Sequence, residues 1–196
     1  MMLRKLLTSF TLLTLPVAVF AHEGASLPYG SFIAGLTHPV LGLDHFLAMV
    51  SVGVLSAQIG GRAIWTLPAT FVLVMAFGGL LGFIDIGLTA IEAGIAISVL
   101  ALGVAIAADR KLPMSLTMTV VGFFAIFHGY AHGAEMPTMA NSVTYASGFL
   151  TGTAALHLFG VLLADIARRY DIGYTILRIA GACIAGAGGL FLIGAA

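Results

Sequence analysis

The sequence predicts an all-α integral membrane protein, with six transmembrane helices behind a cleavable signal peptide and both mature termini outside the cytoplasm. Three observations carry this. Hydrophobic residues make up 60% of the 196 and charged residues only 8%, whereas an ordinary soluble domain is about 25% charged. Six apolar stretches follow one another with short connections, each long enough for the ~20 residues that cross lipid as a helix. The basic residues beyond the N-terminus fall in alternate connections only, the asymmetry that fixes orientation. With a mean hydropathy of +1.11 there is too little polar surface to solvate a globule. A formal net charge of zero points to neither nucleic acid nor an acidic partner; the lipid bilayer is the partner the composition demands.

The elements follow in order. Arg4 and Lys5 form a basic start, Leu6 to Val19 an apolar run, and Val19-Phe20-Ala21 a small-residue cleavage site. That is the pattern of a secretory signal over residues 1–21, which leaves 22–196 as one six-helix domain. An uncleaved first helix is the alternative. In a bacterium such a signal places the mature N-terminus outside the inner membrane. The spans run Tyr29–Gln58, Ile64–Phe83, Ile86–Ala108, Pro113–Gly133, Val143–Asp165 and Tyr174–Ala195. Pro39 falls in the first turns of the long first span, which allows a break or kink near His38. Pro113 opens the fourth, where its missing N–H costs nothing. Arg62, Arg110, Lys111, Arg168, Arg169 and Arg178 all lie in or beside the one–two, three–four and five–six connections. The other connections hold Asp85 and Glu135 and no Lys or Arg. The positive-inside rule therefore puts both mature termini outside.

Twenty-five glycines need a reason in so apolar a chain. Pairs four apart, such as Gly129/Gly133 and Gly148/Gly152, let helix backbones approach closely in lipid. The single cysteine, Cys183, excludes an internal disulfide and a cysteine cage for metal, and its Gly-rich apolar run reads as a core position.

Polar residues break the apolar pattern at two places. In "THPVLGLDHFLAMVSVG", residues 37–53, His38 and His45 are seven apart and so share a face of a continuous helix two turns from each other. Asp44 lies ~100° to the side, able to reach a neighbouring helix or to lean on an imidazole. A carboxylate bonded to one ring nitrogen leaves the other free as a ligand. In "FHGYAHGAEMP", residues 127–137, His128, His132 and Glu135 occupy one side of the fourth helix. Histidines four apart grip a metal from one helical face. Gly129 stands where a zinc peptidase needs its glutamate, so that chemistry is not indicated. His157 and Glu92 extend the donors inward and outward, and each also fits a hydrogen-bonded packing residue. Met49, Met136 and Met139 are soft donors or gap fillers. A charge at mid-membrane costs ~2.5–3.5 kcal/mol even on lenient scales, so a purely structural role for the whole set is poorly motivated. Cleavage after Ala21 would add a free amine beside His22, a chelating pair for nickel, copper or cobalt.

These motifs resemble those of the HupE/UreJ family of nickel and cobalt permeases. "HPVLGLDH" supplies its His-Pro-x-x-Gly-x-Asp-His motif as His38, Pro39, Gly42, Asp44 and His45. A second signature, His-x-x-x-His-Gly-x-Glu, matches His128, His132, Gly133 and Glu135. Length, leader and six mature helices agree as well. The related larger nickel–cobalt transporters have a His-to-Asp spacing one residue shorter, so their geometry does not transfer. The resemblance implies uptake of Ni²⁺ or Co²⁺ for hydrogenase, urease or cobalamin synthesis.

The expectation from residues and resemblance together is secondary uptake of a divalent transition metal through a His/Asp/Glu-lined path. Imidazoles and carboxylates without thiolate suit nickel, cobalt, copper(II) or zinc. The metal is cargo, with no prosthetic group. Neither Lys5 nor Lys111 ends a phosphate loop, so no nucleotide is expected. Membrane potential alone gives a dication about 4.6 kcal/mol at 100 mV. An intramembrane metalloenzyme, a metal or pH sensor and a haem-binding electron carrier are the rival readings, and a homo-oligomer stays open.

Overall fold

The computed structural model describes residues 29–110 and 112–195; the signal segment and His22 lie outside the described residues. Seven helices account for nearly all of them: α1 (Gly30–Leu41), α2 (Leu43–Ile59), α3 (Ala63–Phe83), α4 (Ile91–Ala108), α5 (Met114–Ala134), α6 (Ser142–Ala167) and α7 (Asp171–Gly194). Helices α3 to α7 are each long and apolar enough to cross a membrane. The first expected span is the exception. Instead of one helix from Tyr29 to Gln58 it is a broken pair, α1 and α2, meeting at 85°.

The break falls at Gly42, three residues beyond Pro39. Gly42 is extended (φ −90°, ψ 120°), ending α1 and starting α2. Its carbonyl accepts the first bond of α2, from the Phe46 N–H at 2.8 Å. Asp44 stands in the first turn of α2, where a carboxylate answers exposed N–H groups and the positive helix end. Its Oδ1 accepts from the His45 backbone N–H at 2.7 Å. The sequence therefore places its charge where a new helix has to begin.

Glycines pair the spans. On α6, Gly148 and Gly152 press against the backbone of Phe32 and Leu36 on α1, while Gly35 returns the contact at Tyr145. On α5, Gly129 and Gly133 meet Met75 and Gly79 of α3, and Gly78 and Gly82 meet Ile126 and Tyr130. Gly103 of α4 faces Gly181 and Ala185 of α7, and Gly188 faces Leu100. A Cβ at any of these positions would run into backbone or a core side chain, the steric condition for close helix contact in lipid. The contacts also give direction. Numbers rise together between α1 and α6 and between α3 and α5, and in opposite senses between α4 and α7. Six spans that alternate in direction require that arrangement, with the broken pair counting as one.

Most boundaries fall within two residues of the sequence reading, and two differ by more. Span three begins at Ile91 rather than Ile86: Asp85 and Ala90 take left-handed φ values of 55° and 57°, and residues 86–90 are irregular. Span six begins at Asp171 rather than Tyr174. Cys183 is exposed on α7 instead of packed in the core. The core runs along α2, where Ala48, Met49, Val52 and Leu55 are buried against Phe71, Met75, Val99 and Phe149.

Candidate functional site

Breaking the first span changes how its histidines meet. On one straight helix His38 and His45 would lie two turns apart; on two helices bent at Gly42 both rings close on His132 of α5. The His38 and His132 centroids are 4.7 Å apart, and those of His45 and His132 are 4.3 Å apart. His45 also meets His128 at 4.9 Å. Four imidazoles from α1, α2 and α5 thus touch in the order His38, His132, His45, His128. Beyond His128 the Phe71 ring lies 5.5 Å away, with His157 a further 5.2 Å from Phe71.

Glu135 joins at the end of α5. One ligand atom each from His38, His132 and Glu135 lies within 4.8 Å of the others, a spread that one ion could draw together. Glu135 follows the last residue of α5, and partial burial holds its carboxyl above the usual carboxylate range. Asp44 does not bridge to another helix. Its Oδ1 lies 2.8 Å from His45 Nδ1, so His45 donates through Nδ1 and keeps Nε2 free.

The ring nitrogens are notable for what they lack. His45 Nε2, His128 Nδ1 and both nitrogens of His132 and His157 are buried with no hydrogen-bond partner. Buried polar atoms are nearly always paired, and leaving one unpaired costs about 1–3 kcal/mol. Unpaired imidazole lone pairs facing several others are a donor set for a soft or borderline cation.

Other expected residues are placed differently. Met49 is fully buried in the apolar core, which favours its packing role. Glu92 is exposed in the first turn of α4, outside the group formed by His38, His132 and Glu135. Met139 is exposed in the α5–α6 connection, while Met136 borders a cleft of about 290 Å³ that also reaches His132 and Tyr145. Two neighbours went unread in the sequence. Tyr145 is buried 5.9 Å from the His38 ring with its hydroxyl unpartnered, and Ser98 touches His128 at 2.8 Å. A lone hydroxyl in an apolar helix gives no spacing signal that would single it out.

Fold and site together define the class: an all-helical protein with multiple membrane-spanning helices and a histidine cluster gathered where its first span breaks. The chain belongs to the HupE / UreJ protein family, whose model matches residues 10–191. It is similar to Protein HupE of Rhizobium leguminosarum bv. viciae, 44% identical over 190 residues, covering 97% of this chain and 98% of that protein. No solved structure matches it.

Proposed function

We propose that this protein is a permease that takes up Ni²⁺ or Co²⁺ across the bacterial inner membrane without ATP. The observation that carries the reading is the set of buried, unpartnered nitrogens of His45, His128 and His132 on α2 and α5, with His38 and Glu135 against His132. A dication entering the cluster takes up one lone pair from each imidazole it meets, offsetting part of the cost of leaving those nitrogens bare. The break assists. The C-terminal end of α1, with His38 in its last turn, directs the negative end of a helix dipole toward the site. Discontinuous helices build ion sites in many transporters in this way.

In the proposed sequence the amine and imidazole of His22 capture the ion outside. His38, His132 and Glu135 replace part of its water, and His45, oriented by Asp44, takes it onward with His128. His157 is the next donor inward. The histidine end of the bundle faces outward in this scheme, and the arginine-rich ends of α2, α4 and α6 face the cytoplasm. The inside-negative potential then drives the dication inward.

The test is uptake of radioactive nickel and cobalt into proteoliposomes under an imposed inside-negative potential, with His45→Ala as comparison. Uptake that follows the potential and is lost in the variant supports the permease. Stoichiometric binding without flux in an oriented preparation overturns it and favours an enzyme or sensor built on the same ligands. The ratio of nickel to cobalt flux identifies the cargo.

A further inference from the structure

His128 is fully buried on α5, and its two ring nitrogens have different surroundings. Nε2 lies 2.8 Å from the hydroxyl of Ser98 on α4. Nδ1 has no partner. Which nitrogen carries the proton follows from the second contact of Ser98, whose Oγ lies 2.6 Å from the Ile95 carbonyl oxygen. A carbonyl only accepts, so that short contact needs the single hydroxyl proton of Ser98. With its proton committed, Ser98 can only accept from His128, and Nε2 must be the protonated nitrogen. The opposite assignment fails twice. It would leave two bare oxygens 2.6 Å apart and bury an Nδ1–H donor with nothing to receive it.

We infer that Ser98 is a positioning residue: its hydroxyl holds His128 in the Nε2–H tautomer, so that Nδ1 presents a lone pair to the transported cation. The role rests on the permease reading for its purpose but not for its geometry. Ser98 does for His128 what Asp44 does for His45. Each removes one ring nitrogen from the pool of ligands and frees the other, since a hydrogen bond at one nitrogen decides which remains available. The device differs in charge. Asp44 brings a negative charge to its ring, whereas the backbone-anchored hydroxyl of Ser98 fixes the tautomer without adding charge next to a fully buried ring. Ser98 is itself fully buried, which shields the arrangement from competing water. Ile95 and Ser98 share α4, so the acceptor that locks the hydroxyl cannot move independently of it.

The experiment joins a spectrum to a binding measurement. Full-length protein labelled with ¹⁵N-histidine is compared as wild type, Ser98→Ala and Ser98→Thr, with His128→Asn to assign the resonance. Cobalt(II) binding to the same preparations is followed by equilibrium dialysis. Wild-type His128 is expected as the Nε2–H form. Ser98→Ala is expected to lose that preference and to weaken cobalt binding by about 10–100-fold, the usual cost of losing an outer partner of a metal ligand. Ser98→Thr, which keeps the hydroxyl, is expected to restore both. A wild-type Nδ1–H signal, or an alanine variant with unchanged tautomer and unchanged binding, overturns the assignment. Failure of the permease reading looks different: wild type then shows no flux under a potential, while the ¹⁵N spectrum still decides the part played by Ser98.

Discussion

At one end of the bundle Arg168 donates to the carbonyls of Ala57 and Gln58, and Arg178 donates to that of Ala107 at 3.0 Å. These carbonyls close α2 and α4, where helices run out of internal partners. Gln58 Nε2 likewise donates to Ile106 at 3.2 Å, while its Oε1 is unpartnered. At the other end His132 leaves both ring nitrogens bare, and His45 and His128 one each. The two ends differ in setting as well: Arg178 is exposed and Arg168 half-buried, whereas His128 and His132 are buried. One spends its polar side chains on the backbone, and the other withholds them. On the proposed function, the difference separates polar groups that hold the fold from polar groups kept for the ion that enters it.

The sharpest way to break this comparison is to delete His132. Its ring meets both His38 and His45, and it belongs to the three-ligand group with Glu135. His132→Ala is expected to fold and to lose more than about 100-fold in nickel uptake, beyond the loss typical of outer-shell partners. Yield and monodispersity after purification, measured beside proteoliposome flux, decide it. A variant that transports normally would show the bare nitrogens to be incidental. One that fails to fold would move His132 to the structural side of the comparison.

Asp44→Asn comes next. The amide oxygen still accepts from His45 Nδ1, but a neutral acceptor makes about half as strong a bond as a carboxylate. Cobalt binding is expected to weaken by about 10–100-fold, with the fold intact. If binding is unchanged, tautomer control at His45 needs no charge, and Ser98 and Asp44 become equivalent devices.

How much of this was readable beforehand depends on whether a property is local in the chain. Hydropathy and the alternation of Arg and Lys are local, and they yield the spans. The glycine pairs are also local, and Gly129/Gly133 and Gly148/Gly152 do meet neighbouring backbones. The two groups, His38 with His45 and His128 with His132, were readable as costly residues at helical spacing, but their meeting was not, because it depends on the 85° break in the first span. The break at Gly42 was read only as a kink near His38, since Pro39 is the stronger breaker on its own. What decides its position is Asp44 serving the first turn of α2, a helix-end interaction that a hydropathy pattern does not report. Ser98 was invisible because its part is assigned by a contact across two helices.

At the arginine end the expectation is reversed. Arg168→Gln removes the guanidinium from two carbonyls at the end of α2. It is expected to lower stability by about 1–3 kcal/mol, the cost of leaving buried acceptors unpaired. Uptake per folded molecule should stay at the wild-type level. Thermal unfolding in detergent reads the first and normalised flux the second. Unchanged stability with lost flux would mean that this end also handles the ion.

The smallest effect is expected at Gly42, where the two roles meet in one residue. Its backbone (φ −90°, ψ 120°) is open to any residue, so conformation alone does not demand glycine. Space does. A Cβ there would lie 3.0 Å from Asp44 Oδ1 and 3.2 Å from His45 Nδ1, so the carboxylate–imidazole pair would have to shift by a few tenths of an ångström. Contrast Gly129, where a Cβ would run into the Met75 carbonyl and no flexible group can yield. Gly42→Ala is therefore expected to fold as wild type while cobalt binding weakens by about tenfold or less, the lower edge of outer-shell losses. Loss of folded protein would place Gly42 with Gly129 among the packing glycines and make the break a matter of assembly. Wild-type binding would show that the Asp44–His45 pair tolerates displacement, and the orientation of His45 would then have to come from its contacts with His128 and His132.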